Sequence, residues 1–185
     1  MKQVKGTSVL TVVKSIRANK SKKDVYDRML SNKAKEFLKK RILVASWYPF
    51  EEYRECFDAL CYVEASNNPK TIVGWGIRES KLWFTTVYQS TIVKNDFLQL
   101  ILERYSRFHK RMFNFGEVAI KFISDTDLEF TYIEMPRNWE NYYHIASGYV
   151  IGFIELSIGK IPEYSFLNKS WIGDGWTKIK FSWSP

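Results

Sequence analysis

The stretch Val118-Ala119-Ile120-Lys121-Phe122, then Ser124-Asp125-Thr126-Asp127, then Leu128-Glu129-Phe130-Thr131-Tyr132 decides the fold class. Apolar residues fall at every second place on both arms: Val118, Ile120 and Phe122 on the first, Leu128, Phe130 and Tyr132 on the second. A period of two marks a half-buried strand, and the polar tetrad between the arms marks a turn, so the stretch reads as an antiparallel hairpin. Asp125 and Asp127 are turn residues on this reading, because an Asp side chain bonds nearby backbone in turns.

The residues after the hairpin extend the same architecture. Trp139 to Ile158 is apolar almost all round, which predicts a helix buried on most sides. Gly148 and Gly152 stand four apart in it and permit close backbone approach, expected here against the sheet. Phe166 and Leu167 lie in a third strand. Ile179, Phe181 and Trp183 alternate in a fourth, after the Gly173-Asp174-Gly175 turn.

Before the hairpin the period is helical. Val9, Val12, Val13 and Ile16 form one face over residues 7–19, with Thr7 or Ser8 as the cap. A second helix is expected near 22–30 with Val25, Tyr26, Met29 and Leu30 inward. A third starts at Ser31 or Asn32 and ends in Lys39-Lys40-Arg41, where cations suit the negative end of the helix dipole. Ile42-Leu43-Val44-Ala45 reads as a buried connector. Pro49 followed by Glu51 and Glu52 starts a helix with Tyr53, Phe57, Leu60 and Cys61 inward. Residues 69–93 read as two helical pieces broken near Glu79-Ser80-Lys81, and Asp96 to Phe113 as a strongly amphipathic helix. The expected fold is therefore α+β: an N-terminal helical layer on an antiparallel four-stranded sheet built hairpin, long helix, hairpin. The expected organisation is one domain over residues 1–185, with a basic helical part (1–45), aromatic-rich helices (46–113) and two hairpins around a buried helix (114–185).

Composition bounds the role. The 185 residues carry a net charge of +8, and the excess is local: residues 1–45 hold 13 Lys and Arg against 3 acidic residues, the remainder 15 against 17. Such a block meets an acidic partner, a phosphate backbone or an anionic membrane surface, or is simply a solvated face. No apolar run is long enough to span a bilayer and the N-terminus lacks a signal-peptide pattern, so a cytoplasmic location is expected. Cys56 and Cys61, the only two cysteines, lie five apart on a helix and project away from each other, which suits buried free thiols and neither a disulfide nor a shared metal.

Chemistry is largely missing. There is no nucleophile elbow, phosphate-binding loop or dinucleotide glycine pattern. His109, on the amphipathic helix, and His144, at the start of the buried one, have no acid or nucleophile partner in sequence, so neither is expected to be a catalyst. No recognition-helix pair or RNA-binding aromatic strand accompanies the N-terminal cations, so nucleic acid is not the expected partner.

Three segments carry a resemblance: Val4-Lys5-Gly6-Thr7-Ser8-Val9-Leu10, Ser46-Trp47-Tyr48-Pro49-Phe50-Glu51-Glu52-Tyr53, and Gly173-Asp174-Gly175 leading to Lys180-Phe181-Ser182-Trp183. They resemble an uncharacterised single-domain bacterial family best represented in myxobacteria. Its fold is similar to the four-vinyl-reductase (V4R) domain, the haem–nitric-oxide-binding domain and the small subunits of the TRAPP tethering complex. The resemblance implies a sensing module for a small molecule or lipid, with an apolar channel and pairing through helices in the TRAPP relatives. Two departures stand out. V4R domains often carry a Cys on each side of a Gly-Asp turn, where Ser170 and Thr177 stand here. The haem-binding relatives use a Tyr-x-Ser-x-Arg motif with a proximal His, and Tyr105-Ser106-Arg107 is not that motif.

The expected role is a non-enzymatic regulatory module that binds a small hydrophobic or lipid-like ligand in an apolar pocket, without a cofactor or metal. Aromatic residues make up 17% of the chain, which suits such a pocket. The candidate ligand-binding residues are Trp47, Tyr48, Trp75, Trp83, Phe84 and Tyr88. The alternative is a protein-interaction or scaffold module, in one form a homodimer, that engages an acidic partner through Lys14, Arg17, Lys39, Lys40 and Arg41.

Overall fold

A computed structural model describes residues 1–86 and 98–185, with the side chains of 98–104 outside the description. The chain gathers into two compact units: residues 1–68 with 110–115, and residues 69–109 with 116–185.

The first unit is built on helix α4 (Phe50–Ala65), against which α1 (Gly6–Ala18), α2 (Lys23–Met29) and α3 (Asn32–Lys39) pack. The predicted faces are the buried ones: Val9, Val12, Val13 and Ile16 on α1, and Tyr53, Phe57, Leu60 and Cys61 on α4. Cys56 is buried on α4 as well, and both thiols are free. Burial pushes the Cys56 thiol up to about 12 and raises Cys61 too, so both stay protonated and unreactive. Side chains close the helix ends. Ser31 Oγ accepts from the Ala34 amide at 3.2 Å, and Glu55 of α4 accepts from the Ser31 hydroxyl at 2.8 Å. On α2, Tyr26 and Leu30 are buried, but Met29 is exposed and Val25 half-buried, so the inward face is narrower than the spacing predicted. Neither Thr7 nor Ser8 caps α1. Lys5 occupies that place, and the Thr7 hydroxyl donates to the Val44 carbonyl at 3.2 Å.

Two short strands tie this unit together. In β1 (Gln3–Lys5) and β2 (Trp47–Pro49), Val4 pairs with Tyr48. The connector before β2 corrects the sequence reading. Only Ile42 is buried, whereas Leu43 and Val44 are 51% and 52% exposed. The apolar run marked a core segment by composition, but its backbone bonds turn two side chains outward.

The second unit is the predicted sheet with two helices against each other. Strands β3 (Glu117–Phe122), β4 (Asp127–Ile133), β5 (Glu163–Asn168) and β6 (Thr177–Ser182) form an antiparallel sheet in the order β3-β4-β6-β5. In register, Ile120 faces Phe130, which faces Ile179, which faces Phe166, so one apolar row crosses all four strands. The other face carries the Lys121, Glu129 and Lys180 row. Helix α7 (Glu140–Ile158) supplies eleven of its nineteen residues to the interior and stops at Gly159, whose φ of 70° suits a left-handed C-cap.

Two expectations fail together here. Helix α5 (Pro69–Thr85) runs without a break through Glu79-Ser80-Lys81, and Gly148 and Gly152 face this helix, not the sheet. A Cβ on Gly148 would land on the Val73 carbonyl, and one on Gly76 on the Ile145 carbonyl. Gly152 admits the side chain of Ser80, whose hydroxyl donates to the Tyr149 carbonyl at 2.9 Å. A polar trio that looked like a breaker is therefore the polar part of a tight helix pair. Helix α6 (Leu98–Met112) matches the predicted amphipathic helix, and its expected start at Asp96 lies outside the described residues.

Asp127 opens β4 and pins the sheet corner. It holds Lys180 at 2.8 Å and accepts from the Ser182 and Ser124 hydroxyls at 2.6 and 2.8 Å. Lys180 foremost, then the hydroxyls, keeps its carboxyl well below the usual carboxylate range.

Replacing Gly148 with Ala is expected to destabilise by about 3 kcal/mol, because the backbone must move. Gly74 has open space around its Cα; Gly74→Ala is expected to be neutral or to stabilise by up to about 1 kcal/mol. Urea denaturation of the two variants measures the contrast. The depressed Asp127 carboxyl stabilises the fold above about pH 4, and that contribution drains away as pH falls. Asp127→Asn is accordingly expected to lower the melting temperature at neutral pH and to narrow its difference from wild type in acid, read by thermal melts across pH.

Candidate functional site

The N-terminal turns of α7 and the β5–β6 connection build the most distinctive group of side chains in the second unit. The chain leaves β5 at Asn168, makes a short 3-10 turn over Ser170–Ile172 and re-enters the sheet at Thr177. The Asp174 carboxylate accepts from the Lys169 amide at 2.6 Å and closes this connection on itself. Ser170 and Thr177, the two positions flanking the Gly-Asp turn, meet: their hydroxyls lie 2.8 Å apart and both residues are buried. Ser170 Oγ also lies 3.0 Å from the Arg137 carbonyl and 3.2 Å from the Tyr143 hydroxyl. The pair is thus a closed hydrogen-bond network with no thiol in it.

Around that network the rings form a cage. Tyr143 stacks on Trp171 at 5.3 Å, and Phe166 meets Trp171 edge-on at 5.1 Å. His144 enters between them, 5.4 Å from Phe166 and 6.2 Å from Trp171. The His144 residue is 6% exposed and neither ring nitrogen makes a hydrogen bond. Its nearest charged neighbour is Glu140, one turn earlier on α7, with the carboxylate 3.5 Å from Nε2. Burial lowers the His144 pKa, Glu140 partly offsets this, and Lys169 adds to the lowering. A buried imidazole without a partner is costly. This one is covered by Trp171 and Phe166, which are themselves half-buried, and the same connection carries Ile172 and Trp176 at 72% and 51% exposure.

His109 on α6 is different. It is buried and its Nδ1 lies 3.3 Å from the Tyr142 hydroxyl, so it is part of a packed interior, not of a basic surface. Deeper still, burial raises Tyr105 and Tyr132 above the ordinary phenol range; the Tyr132 hydroxyl makes no hydrogen bond of normal geometry, although the Tyr105 phenol neighbours it.

The residues singled out in the sequence are distributed over both units. Trp47 and Tyr48 belong to the first. Lys5 lies over the Trp47 ring at 4.7 Å, and the Tyr48 hydroxyl accepts from the Leu43 amide at 2.7 Å. Trp75, Trp83 and Phe84 belong to the second, on α5. Trp75 is half-buried. Trp83 meets Phe108 and Tyr149 edge-on, each at 6.0 Å. Phe84 packs on Phe153 at 4.7 Å. Tyr88 lies outside the described residues. Among the expected partner-binding cations, Lys14, Lys40 and Arg41 are exposed and Lys39 pairs with Glu36 at 2.6 Å. Arg17 is a structural residue instead: its guanidinium donates to the Leu38 and Lys40 carbonyls at the end of α3.

The sequence reading singles out His144 and places Phe166 in a strand, but assigns nothing to Trp171. A signal was present. Trp171, Ile172 and Trp176 flank a Gly-Asp-Gly turn, where large apolar residues are out of place.

No family model matches the sequence, and no curated protein matches it. Solved structures do match in shape. An iron(II) unliganded H-NOX protein from K. algicida superposes with a TM-score of 0.68 at 8% identity, over 98% of this chain and 97% of that one. An H-NOX structure solved to probe haem distortion gives 0.66 at 16% identity, over 98% and 95%. An oxygen-binding H-NOX domain related to soluble guanylate cyclases gives 0.62 at 15% identity, over 98% and 95%. At these identities the likeness establishes the fold: of the related folds named by the sequence resemblance, the haem–nitric-oxide-binding one is matched along nearly the whole chain.

The residues present do not fit a haem held in the manner the motif describes. The pattern Tyr-x-Ser-x-Arg occurs nowhere: Tyr88-Gln89-Ser90 continues Thr91-Ile92, and Ser15-Ile16-Arg17 has Val13 in the Tyr position. The chain has two histidines. One lies against Tyr142, and the other sits in the ring cage beside a carboxylate.

The lowered His144 pKa has a definite sign. Protonation favours the unfolded chain, so stability is full above the ordinary His value of about 6.5 and declines as pH falls below it. His144→Leu is expected to remove that decline between about pH 7 and 5, read as melting temperature against pH beside wild type.

Proposed function

We propose that this chain is a non-enzymatic sensor module of the H-NOX fold that binds a small, largely apolar molecule without haem. The observation that carries the reading is the His144 imidazole, buried among Tyr143, Phe166 and Trp171 with its Nδ1 unbonded and its Nε2 facing only the Glu140 carboxylate at 3.5 Å. Apolar walls with one polar anchor are what a small-molecule site needs: the walls supply binding energy and the anchor fixes orientation. A ligand with an aromatic or acyl body and one hydrogen-bonding group satisfies both. Such a group gives the His144 Nδ1 the hydrogen bond it lacks, and Trp171 stands where it would be displaced.

The fold supports the sensor part of the reading, since the similar structures include an oxygen-binding H-NOX domain. The missing motif supports the haem-free part. The lipid-like character of the ligand rests on the sequence resemblance to V4R and TRAPP folds and on the apolar cage. Burying about 200 Å² of apolar ligand surface contributes on the order of 5 kcal/mol. One hydrogen bond adds about 1 kcal/mol.

Native mass spectrometry of gently purified protein, with organic extraction of the denatured sample, tests this. The expected result is a co-purifying apolar small molecule whose occupancy falls in both Trp171→Ala and His144→Leu. Haem that co-purifies stoichiometrically and shows a sharp Soret band would overturn the haem-free reading. Occupancy unchanged in both variants would remove the site from consideration.

A further inference from the structure

We infer that the connector between α3 and β2, residues 40–47, is a docking surface for an anionic lipid bilayer: Leu43 and Val44 enter the acyl boundary while Lys40, Arg41 and Lys5 meet the headgroups. This inference lies wholly in the first unit and stands apart from the ligand reading of His144.

The tip is apolar and outward-facing. Leu43, Val44 and Trp47 are 51%, 52% and 38% exposed within a few residues of one another. Its backbone is held from the inside. The Gly6 amide donates to the Ser46 carbonyl at 2.8 Å, and the Ser46 amide to the Leu43 carbonyl at 3.1 Å. The Thr7 hydroxyl takes the Val44 carbonyl, the Tyr48 hydroxyl takes the Leu43 amide, and Arg17 holds the Lys40 carbonyl at 2.7 Å. Gly6 is required at this contact, because a Cβ there would strike the Leu43 carbonyl. These bonds tie the loop to α1 and β2, so the two aliphatic side chains are presented on a fixed frame and lose little freedom on insertion.

The charge around the tip has one sign. The loop closes a 45-residue segment that carries 13 cations against 3 acidic residues, and Lys40 and Arg41 at its start are exposed. The nearby acidic residue Glu36 is matched by Lys39 at 2.6 Å. Among the described residues, no ion pair holds Lys40, Arg41 or Lys5, and the Lys5 ammonium rests over the Trp47 ring at 4.7 Å. Aliphatic tip, indole at the boundary and cations behind it is the order of layers in a bilayer interface. A nucleic acid would use the cations and the ring but has no place for two exposed aliphatic side chains.

Each cation near an anionic surface contributes roughly fivefold in affinity, so the three together favour anionic over neutral vesicles by about a hundredfold. Inserting Leu43 and Val44 adds at least about tenfold. Co-sedimentation of the full chain with phosphatidylcholine vesicles, with and without phosphatidylglycerol, tests the inference. Binding is expected only with phosphatidylglycerol and should weaken as salt rises. The double variant L43S/V44S should bind at least about tenfold less while keeping its circular dichroism and melting temperature. Should that variant unfold, R41E provides the second arm, with an expected loss of at least about fivefold. Absence of wild-type sedimentation would overturn the inference. So would full binding by both variants, or retention by an acidic protein or nucleic acid with none by vesicles.

Discussion

Backbone-to-backbone contact between α5 and α7 is the constraint on which the second unit depends. Gly76 and Gly148 let the two helices approach until carbonyl oxygens occupy the space where side chains would otherwise stand. That closeness places Ser80 within reach of the Tyr149 carbonyl and Lys81 within 2.6 Å of Glu155. It also lets Trp83 lean on Tyr149, and Phe84 on Phe153. With one flank of α7 given to α5, other parts of α7 are free to cover the sheet. Its first turns then reach the β5–β6 connection, where His144 meets Phe166 and Trp171. A larger residue at either glycine would push the helices apart and shift each of these contacts together.

How much of this was readable depends on the range of the interactions involved. The hairpin around Asp127, the all-round apolar α7 and the capping Ser31 are local patterns, and local periodicity carries them. The break assigned near Ser80 was wrong because Ser, Glu and Lys in a row resemble a loop, whereas Ser80 is satisfied by Tyr149, sixty-nine residues away. The outward turn of Leu43 and Val44 was hidden for a similar reason. It follows from bonds to Gly6, Thr7 and Tyr48, and composition says nothing of where a backbone is tethered. At the site, His144 is visible in sequence as a polar residue on a buried helix. That it lacks a hydrogen bond is a property of the surroundings which residues 166 and 171 create.

The aromatic surplus also looks different once its contacts are known. Tyr105, Phe108, Phe130, Phe153 and Phe181 interlock mostly edge-to-face and tilted across the sheet interior, which is ordinary packing for rings of this size. Ring count therefore marks the core and does not locate a ligand. What distinguishes the Tyr143, Phe166 and Trp171 group is that two of its rings, Phe166 and Trp171, are partly open to solvent and that it encloses a polar side chain with an unbonded ring nitrogen.

A fold shared with H-NOX domains but lacking their motif separates scaffold from chemistry. The scaffold requires a helix pair close enough to free one face of α7, and a sheet whose apolar row runs Ile120, Phe130, Ile179, Phe166. Neither requirement involves the Tyr-x-Ser-x-Arg pattern, so both stand without it. The hydroxyl pair Ser170 and Thr177 makes the same point on a smaller scale. It satisfies itself with a 2.8 Å contact and holds the turn with hydroxyls, which have little affinity for a soft metal. Function on such a scaffold has to reside in whatever polar capacity the packing leaves unspent. In the second unit, His144 is where that capacity coincides with an aromatic enclosure.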